Sequence, residues 1–168
     1  VMLAANEIVA GKTWEDIRER YMVGKEERIT EEQERKFLGA FVAMMTIKVQ
    51  MWVAKVMFIS MEDYINMAVD RYESEKKRLV EDSDVPSKKD IRKKGDEEAT
   101  VPDIKNQSAV GAALWIARVC RYDIAFEVSA LSSRTMCWDD LCEGELGTLF
   151  GYLRKTAKYG TAMVVDQE

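Results

Sequence analysis

The sequence predicts an α+β fold that is mostly α-helical, and three observations carry the prediction. Apolar residues recur at helical spacing in several segments that open on capping residues. One central apolar run instead alternates with a period of two, as a half-buried strand does. The only two prolines, Pro86 and Pro102, fall in a charged stretch that separates two apolar halves. A chain of 168 residues can bury one sizeable core or two small ones.

The first helix is expected at about 13–22. In TWEDIRERY, Thr13 stands as N-cap with Asp16 three residues on, and Trp14, Ile17 and Tyr21 share a face. The run FLGAFVAMMTIKVQMWVAKVMFI, residues 37–59, is interrupted only by Gly39, Thr46, Lys48, Gln50 and Lys55. Alternation of Thr46, Lys48 and Gln50 with Ile47, Val49 and Met51 predicts a β-hairpin or strand pair within 37–59, which puts the lysines in water. No Asn-Gly or Asp-Gly marks its turn. The alternative is an all-α fold with 37–59 as one long helix, able to span a bilayer, in which a central Lys48 would cost about 2.5 to 3.5 kcal/mol.

Ser60 is expected to cap a helix at 61–78, with Asp63 completing a capping box and Tyr64, Ile65, Ala68, Val69 and Tyr72 as its apolar stripe. Residues 73–107 then read as a charged linker, flexible unless a partner holds it. Within it KKDIRKK, Lys88 to Lys94, is answered by Asp96, Glu97 and Glu98, which suits a solvated segment better than a phosphate-binding patch. Helices are predicted at 109–120, 123–133 and 139–159. Asp123 is placed to cap the second of these, the Asp139-Asp140 pair to cap the third, and Gly160 to stop it. Cys142, Leu146, Leu149, Phe150, Leu153 and Ala157 form the third helix's stripe, and glycines 144, 147 and 151 within it suit close packing.

Composition narrows the chemistry. A net charge of -5 gives no overall polycationic field, so any nucleic-acid contact must be a local patch. The chain has no histidine, which removes Ser-His-Asp and Cys-His catalysis. Cys120, Cys137 and Cys142 contain no CxxC pair and are odd in number, indicating reduced thiols rather than zinc or a disulfide framework. With no basic n-region and cleavage site, these point to a reducing cytoplasmic setting, the alternative being an organelle or membrane complex. The opening Val1 suggests a piece of a longer protein or a processed product.

The order of the motifs is more specific. SAVGAALWIARVCRYDIAFEVSALSSR, followed by GYLRKTAKYG, resembles the segment after the polymerase palm in copia-type long-terminal-repeat retrotransposon reverse transcriptases. Ser108, Val110, Gly111, Arg121, Asp123, Ile124, Leu131, Tyr152, Leu153, Thr156, Tyr159 and Gly160 are among the matching positions. Phe37-Leu38-Gly39 and FISMEDYI at 58–65 match earlier family elements in the same order. Tyr122 departs from the family's proline.

The resemblance implies three parts: an end-of-palm and thumb-like segment at 1–72, the linker at 73–107, and a helical connection-like segment at 108–168. It also implies that both acidic metal sites, of the polymerase and of ribonuclease H, lie outside the chain, so Mg2+ would belong to those sites and no cofactor to this one. The chain would be non-catalytic, within a parent RNA-directed DNA polymerase. Its partner would be RNA or DNA template-primer, with Arg118, Arg121, Arg154, Lys155 and Lys158 as candidate phosphate contacts. The alternative is a domesticated or captured accessory subunit with protein partners in a larger, possibly membrane-bound, assembly through 37–59.

Overall fold

The alternating run is two strands. The structure, a computed structural model, describes residues 15, 17–19, 35–49, 52–91 and 103–167. Among them strands β1 (Arg35–Phe37), β2 (Ala40–Val49), β3 (Trp52–Ser60) and β4 (Gly160–Gln167) form one antiparallel sheet in the order β1-β2-β3-β4. Helices α1 (Glu62–Lys76), α2 (Ile104–Val119), α3 (Ala125–Ser133) and α4 (Asp140–Lys155) complete a mixed α+β fold, with a 3-10 turn at Tyr122–Ile124.

The register from Phe41↔Ser60 to Val49↔Trp52 makes β2 and β3 a hairpin, whose turn at 50 and 51 lies outside the described residues. The all-α alternative, with 37–59 as one long helix, is therefore overturned. Among the described residues no helix is long and apolar enough to cross a membrane. The alternation decided this because a period of two gives a strand two faces, whereas on a helix it scatters Thr46 and Lys48 around the axis. A two-residue turn joins β1 to β2, and Leu38 and Gly39 both hold positive φ, 50° and 85°. Glycine adopts this freely, whereas Leu38 is held there at a cost of about 1 to 2 kcal/mol.

Several boundaries differ from expectation. Ser60 does not cap α1: it is the last residue of β3, the N-cap position is Met61 without a side-chain bond, and Asp63 pairs with Lys36 at 2.9 Å. α2 begins near 104 rather than 109, because Asp103 accepts from the Lys105 N–H at 2.9 Å and caps it. Asp123 is not a cap either, since α3 starts after Ile124 and the Asp123 carboxylate is engaged elsewhere. Asp139 does cap α4, accepting from the Cys142 N–H at 2.7 Å. α4 ends at Lys155 instead of 159, and Gly160 opens the unforeseen β4 rather than merely stopping a helix. Of the helix expected at 13–22, residues 15 and 17–19 are helical, while Thr13, Trp14, Asp16 and Tyr21 lie outside the described residues.

The core lies between the inner half of the sheet and the helices. Ala40, Val42 and Ile59 join Ile65, Val69, Ile116, Val128, Leu146 and Leu149 in one buried cluster. Tyr72 of α1 stacks on Phe150 of α4 with ring centroids 4.4 Å apart. Of the stretch read as a linker, 73–76 continue α1, Val80, Ser83 and Ile91 are buried, and 92–102 lie outside the described residues. Gly151 allows this packing: a Cβ there would stand 1.9 Å from the Glu81 carbonyl oxygen.

Candidate functional site

The two motifs that carry the family resemblance meet at the end of the helical bundle. α2 ends at Val119, and the chain turns so that the Arg121 side chain runs back among α4 and the residues after it, leaving it only 1% exposed. Its guanidinium donates from Nε and Nη2 to Asp123 Oδ1 and Oδ2 at 2.9 and 2.7 Å, a two-pronged ion pair. Nη1 donates to the Thr156 carbonyl at 2.9 Å and Nη2 to Thr156 Oγ1 at 2.8 Å. Tyr152 donates its hydroxyl to Asp123 Oδ2 at 2.8 Å. The rings of Tyr152 and Tyr159 lie 5.3 and 5.6 Å from the guanidinium carbon, within cation–π range. Burial alone would raise the Asp123 carboxyl, but the bonds from Arg121 and Tyr152 and the Arg121 charge outweigh it and hold it below the ordinary carboxylate value. Beside this cluster, Thr161 Oγ1 donates to the Cys120 carbonyl at 2.7 Å and ties β4 to the end of α2.

A second cationic centre faces the segment after α1. Arg154 donates to Glu73 Oε1 and Asp82 Oδ1, each at 2.9 Å, and to the Val80 carbonyl. Lys155 pairs with Asp84. The buried Glu145 accepts from Ser87 Oγ and the Lys88 N–H at 2.9 and 2.7 Å. α4 thus holds residues 80–88 through three side chains.

The five candidate phosphate contacts therefore separate. Arg121, Arg154 and Lys155 are engaged within the chain, Arg121 entirely and the other two at the surface. Arg118 and Lys158 are exposed and make no ion pair among the described residues. They bracket the Arg121 cluster, three residues before Arg121 and two after Thr156. Of KKDIRKK, Lys88 and Lys89 are exposed, and Arg92, Lys93 and Lys94 lie outside the described residues.

Among the described residues no three Cys, Asp or Glu side chains stand together as a metal site would require. Burial raises the Cys120 thiol to about 11, which keeps it protonated and unreactive. Burial, and then Glu143, raises the Tyr72 hydroxyl to about 12. Thr156, Tyr152 and Tyr159 were not singled out as partners of Arg121 by sequence reasoning. The one signal that could have joined them is that all four belong to the same family-like pattern. No family model, curated protein or solved structure matches the chain, so the resemblance rests on the residues themselves.

Proposed function

We propose that the chain is a non-catalytic module resembling the thumb and connection of a copia-type reverse transcriptase, and that it supports a template-primer duplex in a longer protein. One observation supports this reading above the rest: Arg121 and Asp123 of the first motif interlock with Tyr152 and Thr156 of the second, 29 to 35 residues away in the chain. An accidental likeness gives no reason for residues of both motifs to become one ion-pair network around a buried Arg121. In this reading the motifs are structural, and contact with nucleic acid falls to cations outside the network, Arg118 and Lys158. A backbone contact needs only a cation in reach of a phosphate, and these two flank one end of the bundle.

The test is the salt dependence of binding to an RNA–DNA duplex. Each phosphate neutralised contributes about 0.9 to the slope of log affinity against log salt, so a double Arg118→Ala, Lys158→Ala change lowers the slope by about 2. A full chain that shows no salt-dependent binding, or a double variant with the parent's slope, overturns the reading. The second reading, an accessory subunit with protein partners, draws on a different observation. The outer half of the sheet exposes Met45, Ile47, Val53, Met163, Val164 and Val165. Such an apolar surface suits a protein neighbour.

A further inference from the structure

Residues 86–91 and one face of α3 enclose a cleft of about 250 Å3, and Glu145 of α4 forms part of its wall. At about 30 Å3 for each water, the space matches roughly eight water molecules or a ligand of similar atom count. Ile91 and Leu131 give it a buried apolar side, and the ring of Phe126 lines it as well. Glu145 is only 6% exposed, yet half of its carboxylate is unused. Oε2 accepts from Ser87 Oγ and the Lys88 N–H, whereas Oε1 accepts no hydrogen bond and is not sealed from solvent. Glu127, also on the wall, makes neither a hydrogen bond nor an ion pair among the described residues. Lys88 and Lys89 line the cleft from its exposed side, and neither pairs with Glu145 or Glu127. A buried carboxylate with an open oxygen is costly to fold, and it is repaid when a donor meets that oxygen.

We propose that this cleft binds a small organic cation, a guanidinium or alkylammonium head on a short apolar stem, with Glu145 Oε1 accepting from its N–H. Charge decides for a cation over a neutral amide. A charged donor makes the stronger hydrogen bond to a carboxylate, the unpaired Glu127 adds to the field, and the face of Phe126 favours a cation. Geometry decides against a divalent metal ion, because no three acidic side chains converge among the described residues, while an organic head needs only one carboxylate oxygen. Size limits the ligand: about 250 Å3 falls below the ordinary range of drug-sized pockets, so a nucleotide does not fit. Ile91 and Leu131 receive the stem. Lys88 and Lys89 repel a ligand with a second cationic group and leave one with a single head. The proposal uses neither Arg118 nor Lys158 and does not depend on the duplex reading.

The probes are n-butylguanidinium and its neutral counterpart n-butylurea, titrated into the full chain at low salt. Binding is followed by the methyl NMR signals of Ile91 and Leu131. The guanidinium should bind with a Kd of about 1 mM, the scale open to a ligand of roughly eight heavy atoms, and the urea at least ~10-fold more weakly. Glu145→Gln is the sharpest variant. Its amide oxygen can keep the bonds from Ser87 and the Lys88 N–H, while its NH2 offers the cleft a donor in place of an acceptor. It should leave the circular dichroism unchanged and weaken guanidinium binding at least ~10-fold. Phe126→Leu, at a side chain 55% exposed, should weaken it about 3-fold without disturbing the Glu145 bonds. Three results would overturn the proposal: no saturable shift of the two methyl signals up to about 20 mM guanidinium, equal affinity for the urea, or parental affinity in Glu145→Gln.

Discussion

Around Arg121 the chain closes on itself, while at the outer half of the sheet it stays open. The guanidinium makes four hydrogen bonds, to Asp123 and Thr156, and two tyrosine rings flank it. In the outer half of β2, by contrast, Met45, Thr46, Ile47 and Lys48 lie exposed in succession, so both faces of the strand meet solvent there. Both regions contain good secondary structure. Secondary structure therefore does not distinguish them; what does is whether a side chain finds a partner from a distant element. Substitutions that remove such partners should be costly at one end of the molecule and mild at the other.

The largest effect is expected where two backbones touch. Gly151→Ala would drive a Cβ to 1.9 Å from the Glu81 carbonyl oxygen, and a peptide carbonyl, unlike a side-chain tip, cannot rotate away alone. Residues 80–88 would have to lift from α4, at the expense of the Arg154 and Glu145 hydrogen bonds. A loss of about 3 kcal/mol, or ~10 °C in Tm, is expected by thermal and urea unfolding. A Tm within about 2 °C of the parent would mean that the segment does not rest on α4. Gly144→Ala is the matched control: a Cβ there meets nothing within 4 Å, and alanine favours helix by about 1 kcal/mol.

Next comes Arg121→Ala, for which a loss of about 2 to 3 kcal/mol is expected at pH 7 by urea unfolding. The value is kept below the usual cost of breaking a buried ion pair because the Asp123 side chain is 41% exposed, so water reaches the carboxylate left behind. The effect carries a pH signature. The folded pKa of Asp123 is lowered, so its pairing stabilises the fold above the ordinary carboxylate pKa and is lost as pH falls through the folded value. The gap between parent and variant should therefore narrow below about pH 4. A gap that is constant with pH would show that Arg121 acts through Thr156 and packing alone.

These two sites also mark what the sequence could and could not reveal. The hairpin was legible because alternation is a local property, visible in Thr46, Ile47, Lys48 and Val49 without knowledge of any other element. The Asp139 cap was legible for the same reason, since its partner, the Cys142 N–H, is three residues away. β4 was not, because Thr161 to Val165 is too short and too uniformly apolar to show a period, and Gly160 served equally as a helix stop. Asp123 misled because a carboxylate just before a helix has two uses. The choice depended on Arg121 and Tyr152, the latter 29 residues on, which a local reading cannot bring together. The segment after α1 looked like a linker because its buried residues, Val80, Ser83 and Ile91, are few among many charges. Its attachment is supplied by Glu73, Arg154 and the missing side chain of Gly151.

The smallest effect tests the open end directly. Ile47 and Ile59 lie in the two strands of one hairpin, 37% and 5% exposed. Ile→Val removes one methylene and keeps the β-branch, so strand propensity is nearly unchanged and burial alone is compared. At Ile59 the change should cost about 1 kcal/mol, the ordinary value for a methylene lost from a core. At Ile47 it should stay within about 0.3 kcal/mol, since a half-exposed side chain leaves no sealed cavity when trimmed. Paired urea titrations at dilute protein concentration decide the matter. Equal losses at the two positions would mean that something covers the outer half of the sheet in solution, and the contrast between a closed and an open end would fail.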